Sequence, residues 1–302
     1  MEGALGERLK NEYHIKFDEH IAMARLVRQL NGQQALYHLW NEYISIARRF
    51  RLPFLATTPT RRANRERMAL AGCGTSLILE NVQFLRSIQK NSGIEMYVGG
   101  LMGCKGDAYT GEGALSEADS AVFHKWQADA FRDAGADFLY AGIMPTLPEA
   151  AGMATAMAQT GLPYIISFTI QRDGRLIDGT SIHDAISYID TIFCTNTAIL
   201  KKPVCYMTNC VHPSIVYEAL SQPWNQTTTV RERFLGIQAN TSALSYSELD
   251  HAAELTDLKY SPPEQFAKEM VKLRQISNIR IFGGCCGTDS RYMECSAEKL
   301  TL

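Results

Sequence analysis

Excess charge of either sign is missing from this chain: 30 Lys and Arg face 32 Asp and Glu across 302 residues, a net of −2. No basic surface is therefore expected for nucleic acid or anionic lipid. Long apolar runs are missing too; none approaches the ~20 residues that a membrane span needs. The opening Met1-Glu2-Gly3-Ala4-Leu5-Gly6 lacks the charged segment and apolar stretch of a secretory leader, so a cytoplasmic, reducing setting is expected. In such a setting the eight cysteines imply no disulfide framework, and their thiols are free for other chemistry. No Gly-x-Gly-x-x-Gly follows a strand, which argues against a dinucleotide-binding sheet.

Short apolar runs alternate with longer amphipathic ones. Strands are expected at Pro53–Thr58, Ile94–Gly99, Ala136–Ala141, Pro163–Thr169, Pro203–Asn209, Phe234–Ala239 and Ile279–Phe282, each short and apolar as buried parallel strands are. Helices are expected at Ala63–Lys90, Glu117–Ala134, Leu147–Gln159, Ser181–Thr191 and Pro262–Gln275, and Tyr13–Phe50 is helical in character. Ser221–Thr229 reads as a surface loop. Strand followed by helix, repeated without a break in composition, predicts one α/β domain over residues 1–302, a (β/α)8 TIM-type barrel. The strand due ahead of Glu2-Gly3 has almost no room, so the first strand is expected to be short or truncated.

Three thiols sit where such a barrel builds its sites. Cys285 and Cys286 follow the last apolar run inside Gly283-Gly284-Cys285-Cys286-Gly287-Thr288, and Cys210 follows another in Asn209-Cys210. Side chains at the C-terminal ends of barrel strands converge on one mouth. Three sulfurs there match a catalytic Zn²⁺ with one position open. Three thiolates against Zn²⁺ sum to −1, and an incoming thiol would lose its proton on the ion. Packing of the cysteines as small apolar residues, or a vicinal disulfide between Cys285 and Cys286, are the plainer alternatives. His212 is the candidate fourth ligand of a closed, purely structural site. Cys104, just past the strand ending at Gly99-Gly100, is a further thiol that would lie near the mouth.

These residues resemble the zinc-dependent homocysteine S-methyltransferase family, as a divergent member. The double-cysteine segment is similar to that family's C-terminal zinc motif, and Asn209-Cys210 to its upstream ligand. Glu2-Gly3-Ala4-Leu5-Gly6 resembles its opening Asp-Gly-x-x-Gly, and Thr58-Pro59-Thr60-Arg61-Arg62-Ala63-Asn64-Arg65 the loop after its second strand. Asn240 matches an asparagine after its seventh strand. The resemblance implies Zn²⁺ held by Cys210, Cys285 and Cys286, and substrate contacts from Glu2, Gly3, Thr60 and Asn240. It also implies methyl transfer from a small sulfonium or ammonium donor to the thiol of homocysteine, giving methionine.

The chain departs from that pattern at the amino-acid end. Gly142 stands where the family carries a Glu for the substrate ammonium, Glu2 replaces the opening Asp, and Glu7 replaces a Thr. Pro59 replaces an Asn, and Arg61 an aromatic. Glu2 would then take over the ammonium, and Arg61 or Arg62 points to an anionic substrate group. The partners expected are a small thiol and a methyl donor, with self-association left open. The same chemistry on a different thiol, or a non-catalytic zinc or redox-sensing protein, are the rival readings.

Overall fold

Runs rich in Val, Ile, Leu, Phe and Tyr are stable only where both faces of a strand are covered, and each of the seven expected runs becomes such a strand. In the computed structural model, which describes residues 1–195, 200–244 and 260–301, they are β1 (Phe54–Thr57), β2 (Met96–Gly103), β3 (Phe138–Met144), β4 (Tyr164–Phe168), β5 (Cys205–Val211), β6 (Phe234–Ala239) and β7 (Ile281–Gly284). All are parallel and lie in chain order from β1 to β7. Helices alternate with them and the sheet curls into a TIM-type α/β barrel. Leu55, Leu101, Phe138, Tyr140, Ile165 and Met207 fill the interior.

The eighth position is closed by very few residues. The Met1 amine donates to the Phe282 carbonyl at 2.7 Å, and Gly284 N–H donates to the Glu2 carbonyl at 2.9 Å. On the other side, Glu2 Oε1 accepts from the Thr57 hydroxyl at 2.6 Å and from Thr57 N–H at 3.1 Å. Residues 1–4 thus bridge β7 to β1, one side through backbone and the other through a carboxylate. The short first strand takes this form. Gly3 permits it: a Cβ there would lie 2.8 Å from the Tyr43 ring, and the Tyr43 hydroxyl donates to the Ala4 carbonyl at 2.9 Å. Tyr43 belongs to α2 (Leu30–Arg49), which with a 3-10 turn at Met23–Arg28 accounts for the helical character ahead of β1.

The one long helix expected over Ala63–Lys90 is instead two, α3 (Arg65–Leu70) and α4 (Thr75–Ser92). Gly72, at φ +64°, and Gly74 break it, since a left-handed glycine ends a helix. The other expected helices are α5 (Glu117–Asp133), α6 (Leu147–Ala158), α7 (Ile182–Thr195) and α10 (Pro263–Ile276). Unforeseen are α1 (Gly6–Asn11), α8 (Pro213–Leu220), α9 (Thr228–Arg233), which overlaps the expected surface loop, and α11 (Ser290–Thr301). No helix among the described residues is long and apolar enough to cross a membrane.

Candidate metal centre and substrate mouth

Cys210 is brought into the mouth by a bulge. In the β5–β6 ladder Asn209 pairs with Gln238 and Val211 with Ala239, leaving Cys210 as the extra residue, at φ +59°. A non-glycine residue in this region costs roughly 1–3 kcal/mol and is held only where its surroundings enforce it. Asn209 supplies that enforcement. Its Oδ1 accepts from the Ser167 hydroxyl at 2.8 Å and from Ile143 N–H at 3.1 Å. Ile143 is itself at φ +60° in the irregular end of β3, so one buried amide pins two distorted strand ends.

Cys285 and Cys286 arrive by another route. The turn after β7 is tied down by Cys285 N–H to the Ala239 carbonyl at 2.7 Å and by Thr241 N–H to the Cys286 carbonyl at 3.1 Å. The Thr288 hydroxyl donates to the Cys285 carbonyl at 2.7 Å. Gly287 closes the turn at φ +79°, where a Cβ would fall 2.0 Å from Thr241 Oγ1. Glu7, from the first turn of α1, accepts from Gly287 N–H and lies beside Cys286.

The three Sγ atoms lie within 4.8 Å of one another, with Cys285 and Cys286 4.0 Å apart. Sulfurs at about 2.3 Å from a tetrahedral ion would be about 3.8 Å apart, so the trio is of a size to hold zinc. Without an ion the sulfurs share charge unequally. Thiol hydrogen bonds from Cys285 and Cys286 hold Cys210 well below the ordinary thiol range, against the effect of burial. The same contacts raise Cys285 well above it and push Cys286 up to about 12. Metal binds such sulfurs as thiolates.

His212 does not complete a closed site. Its Nδ1 pairs with the Ser214 hydroxyl at 2.8 Å and its Nε2 with that of Ser261 at 2.9 Å. It caps α8, and burial lowers its pKa to about 4. Cys104 is turned into its own loop, donating to the Gly106 carbonyl at 3.5 Å, with burial raising its pKa to about 12.

The other residues expected at the mouth differ in what they have left to offer. Glu2 and Asn240 are both buried, and Glu2 Oε2 and Asn240 Oδ1 have no hydrogen-bond partner among the described residues. Burial raises the pKa of Glu2. Thr60 spends its hydroxyl inside the fold, on the Leu101 carbonyl at 2.8 Å and on Thr58 at 2.7 Å. Gly3 contributes close approach to Tyr43 rather than a side chain. At Gly142 a Cβ would lie 2.8 Å from Leu101 Cδ1, so a leucine borders the space a carboxylate would need.

Sequence reasoning missed Tyr109. It sits in the segment between β2 and α5, and its hydroxyl hydrogen-bonds Cys210. With Ile170, Ile177, Val211 and Ile215 it lines a cavity of about 410 Å³ that opens beside Cys210. No local pattern marks such a residue, because its position depends on the path of a long loop.

A family model described as homocysteine S-methyltransferase matches residues 1–300. Among solved structures, the metallated form of the Escherichia coli homocysteine methyltransferase MmuM is 19% identical, with a TM-score of 0.73 over 99% of this chain and 95% of that one. Its oxidized form is 19% identical with a TM-score of 0.75 (100% and 94% covered), and its apo form 18% with 0.67 (99% and 94%). No curated protein sequence matches the chain.

Proposed function

This chain belongs to the homocysteine S-methyltransferase family, and from that premise we propose that it transfers a methyl group from a small sulfonium or ammonium donor to a zinc-activated thiol, homocysteine being the acceptor. The observation that carries the reading is the trio Cys210, Cys285 and Cys286, three sulfurs within 4.8 Å and no fourth protein ligand among the described residues. Zinc held there would offer an open position to the acceptor sulfur and make it anionic near neutral pH, where a free thiol is mostly protonated. A cytoplasmic setting, which keeps thiols reduced, suits this chemistry.

The rest falls to the chain. In the transfer the acceptor thiol gives up its proton, and its sulfur forms a bond to the donor's methyl carbon. The donor's own bond to that carbon breaks, and the electron pair leaves with a neutral thioether or amine. Glu2 Oε2 and Asn240 Oδ1 are buried acceptors in want of donors, a condition native proteins rarely tolerate without a ligand or water. An ammonium group of the acceptor supplies such donors. The Tyr109 hydroxyl, bonded to Cys210, steadies that sulfur and covers the approach. Apolar walls from Ile170, Val211 and Ile215 keep water from the reacting sulfur, and holding the two reactants in line supplies much of the rate.

The test is X-ray absorption on the zinc-loaded protein, with and without homocysteine, beside a mass-spectrometric screen of homocysteine against S-methylmethionine, S-adenosylmethionine and betaine. A fourth sulfur neighbour on addition, with methionine formed from at least one donor, is the expected result. An unchanged shell of three sulfurs and one nitrogen, with no methionine from any donor, would overturn the reading in favour of a structural site.

A further inference from the structure

Arg61 has no hydrogen bond or ion pair among the described residues, although it is half-buried. The tight turn that carries it is fixed on every side. Thr60 N–H bonds the Thr58 carbonyl and Ala63 N–H the Thr60 carbonyl, both at 2.8 Å. Gln127 donates to the Thr60 carbonyl at 3.3 Å, and the Asn64 side chain caps α3 by accepting from Arg67 N–H at 3.0 Å. From this turn the Arg61 side chain runs across the end of β2, close enough that a Cβ on Gly103 would fall 2.7 Å from its Cγ. β2 is parallel to β5 and β7 and ends on the same C-terminal face of the barrel, so the side chain lies at the mouth to which those strands bring the thiols.

Neighbouring anions are spoken for. Asp107 turns its carboxylate on its own loop, accepting from Tyr109 N–H and Thr110 N–H at 2.8 Å each and from the Thr110 hydroxyl at 3.2 Å. Glu149 accepts from Lys105 N–H at 2.7 Å and pairs with His124 at 3.0 Å. Glu7 accepts from Gly287 N–H. Half-buried or buried arginines elsewhere are ion-paired in several cases, as in Arg8 with Glu12 and Glu42, Arg86 with Asp137, and Arg233 with Asp190. Arg51, Arg62, Arg65, Arg231 and Arg280 also have no side-chain hydrogen bond or ion pair among the described residues, but they are exposed, whereas Arg61 is half-buried. A rigidly mounted guanidinium without a partner, at the lip of a reaction site, is suited to a planar anion from outside.

We propose that Arg61 is a specificity-determining residue that receives a carboxylate of the thiol substrate, so that acceptors bearing an anionic group are preferred over neutral thiols of the same length. The proposal rests on the methyl-transfer reading, and deepens it by assigning the end of the substrate remote from its sulfur. Glu2 and Asn240 would take the ammonium end and Arg61 the acidic end of an amino-acid thiol.

Cobalt-substituted protein tests this without turnover, because a thiol joining three cysteine sulfurs alters the sulfur-to-cobalt charge-transfer absorption. The probes are 4-mercaptobutyrate and its neutral amide. A charge-assisted hydrogen bond predicts that wild type binds the carboxylate about 10–100-fold more tightly. Arg61→Met should reduce that ratio to below about threefold, leave binding of the amide unchanged and retain cobalt. Arg62→Met should keep the full ratio. A wild-type protein with no preference, or an Arg61→Met variant that retains it, overturns the inference while leaving methyl transfer intact. If neither thiol changes the spectrum, the methyl-transfer reading falls and takes this inference with it.

Discussion

The two strand ends that supply the sulfurs solve one geometric problem by opposite means. At β5 a single thiol is turned inward by a bulge, and the residue in the unfavourable left-handed conformation is the cysteine itself. At β7 two adjacent thiols are turned inward by a turn whose left-handed residue is Gly287, for which that conformation is not penalised. The strain at β5 is held chiefly by side-chain hydrogen bonds through Asn209, whereas the β7 turn is held by backbone bonds to Ala239 and Thr241, by Glu7 on Gly287 and by Thr288. A site built this way should be fragile at β5 to the loss of supporting side chains, and at β7 to the addition of a Cβ.

The largest effect expected is common to both ends. Serine at Cys210, Cys285 or Cys286 should weaken zinc binding by more than the roughly 10–100-fold that changes behind a ligand cost, read by chelator competition. If Cys210→Ser binds zinc as wild type does, the two ends do not share an ion. Gly287→Ala should be the more damaging of two structural changes. It places a Cβ 2.0 Å from Thr241 Oγ1 at φ +79°, for a loss of roughly 1–3 kcal/mol in urea unfolding. Asn209→Ala removes an acceptor from both Ser167 and Ile143 and should cost about 1–2 kcal/mol. It should also weaken zinc binding, since the β5 bulge loses its clamp. Unchanged metal affinity in Asn209→Ala would show that the bulge stands without it.

The smallest effect separates His212 from the proposed ligands beside it. Its Ser214 contact is a helix cap, so His212→Ala should cost about 1 kcal/mol with zinc stoichiometry unchanged. Burial depresses its folded pKa from 6.5 to about 4, so the unfolded chain binds the extra proton between those values. The stability it contributes is then complete above about pH 6.5 and lost as pH falls toward 4. The substitution should flatten that acid limb, measured by unfolding at a series of pH values. Loss of zinc on changing His212 would restore it as a ligand.

Much of this could be read from the residues in order. Seven strands announced themselves because strands covered on both faces are continuous apolar runs, and the thiol trio because adjacent cysteines among glycines after a strand have few other uses. What escaped was made by contacts distant along the chain. The eighth position rests on four residues with no apolar run to mark them. Two backbone bonds to β7 and the Glu2 carboxylate on Thr57 do the joining, and a pattern of hydrophobicity cannot register them. His212 read as a ligand by proximity to Cys210, but the next residues start α8, and the imidazole faces its serines instead. Tyr109 and Glu7 reach the sulfurs by way of a loop and a first helical turn whose paths only the assembled barrel defines. Arg61 was legible as a charge near the mouth; that it lacks a partner among the described residues was not.

The position of the sulfurs along the chain has an outcome for the protein's handling. An ion shared by residue 210 and residues 285–286 would act as a clasp, closing a loop of the chain that contains α8, α9, β6, α10 and β7. Opening that loop by chelation should give back the freedom that its closure removed. The C-terminal third would then be where a protease first cuts the demetallated protein, and added zinc would restore its resistance.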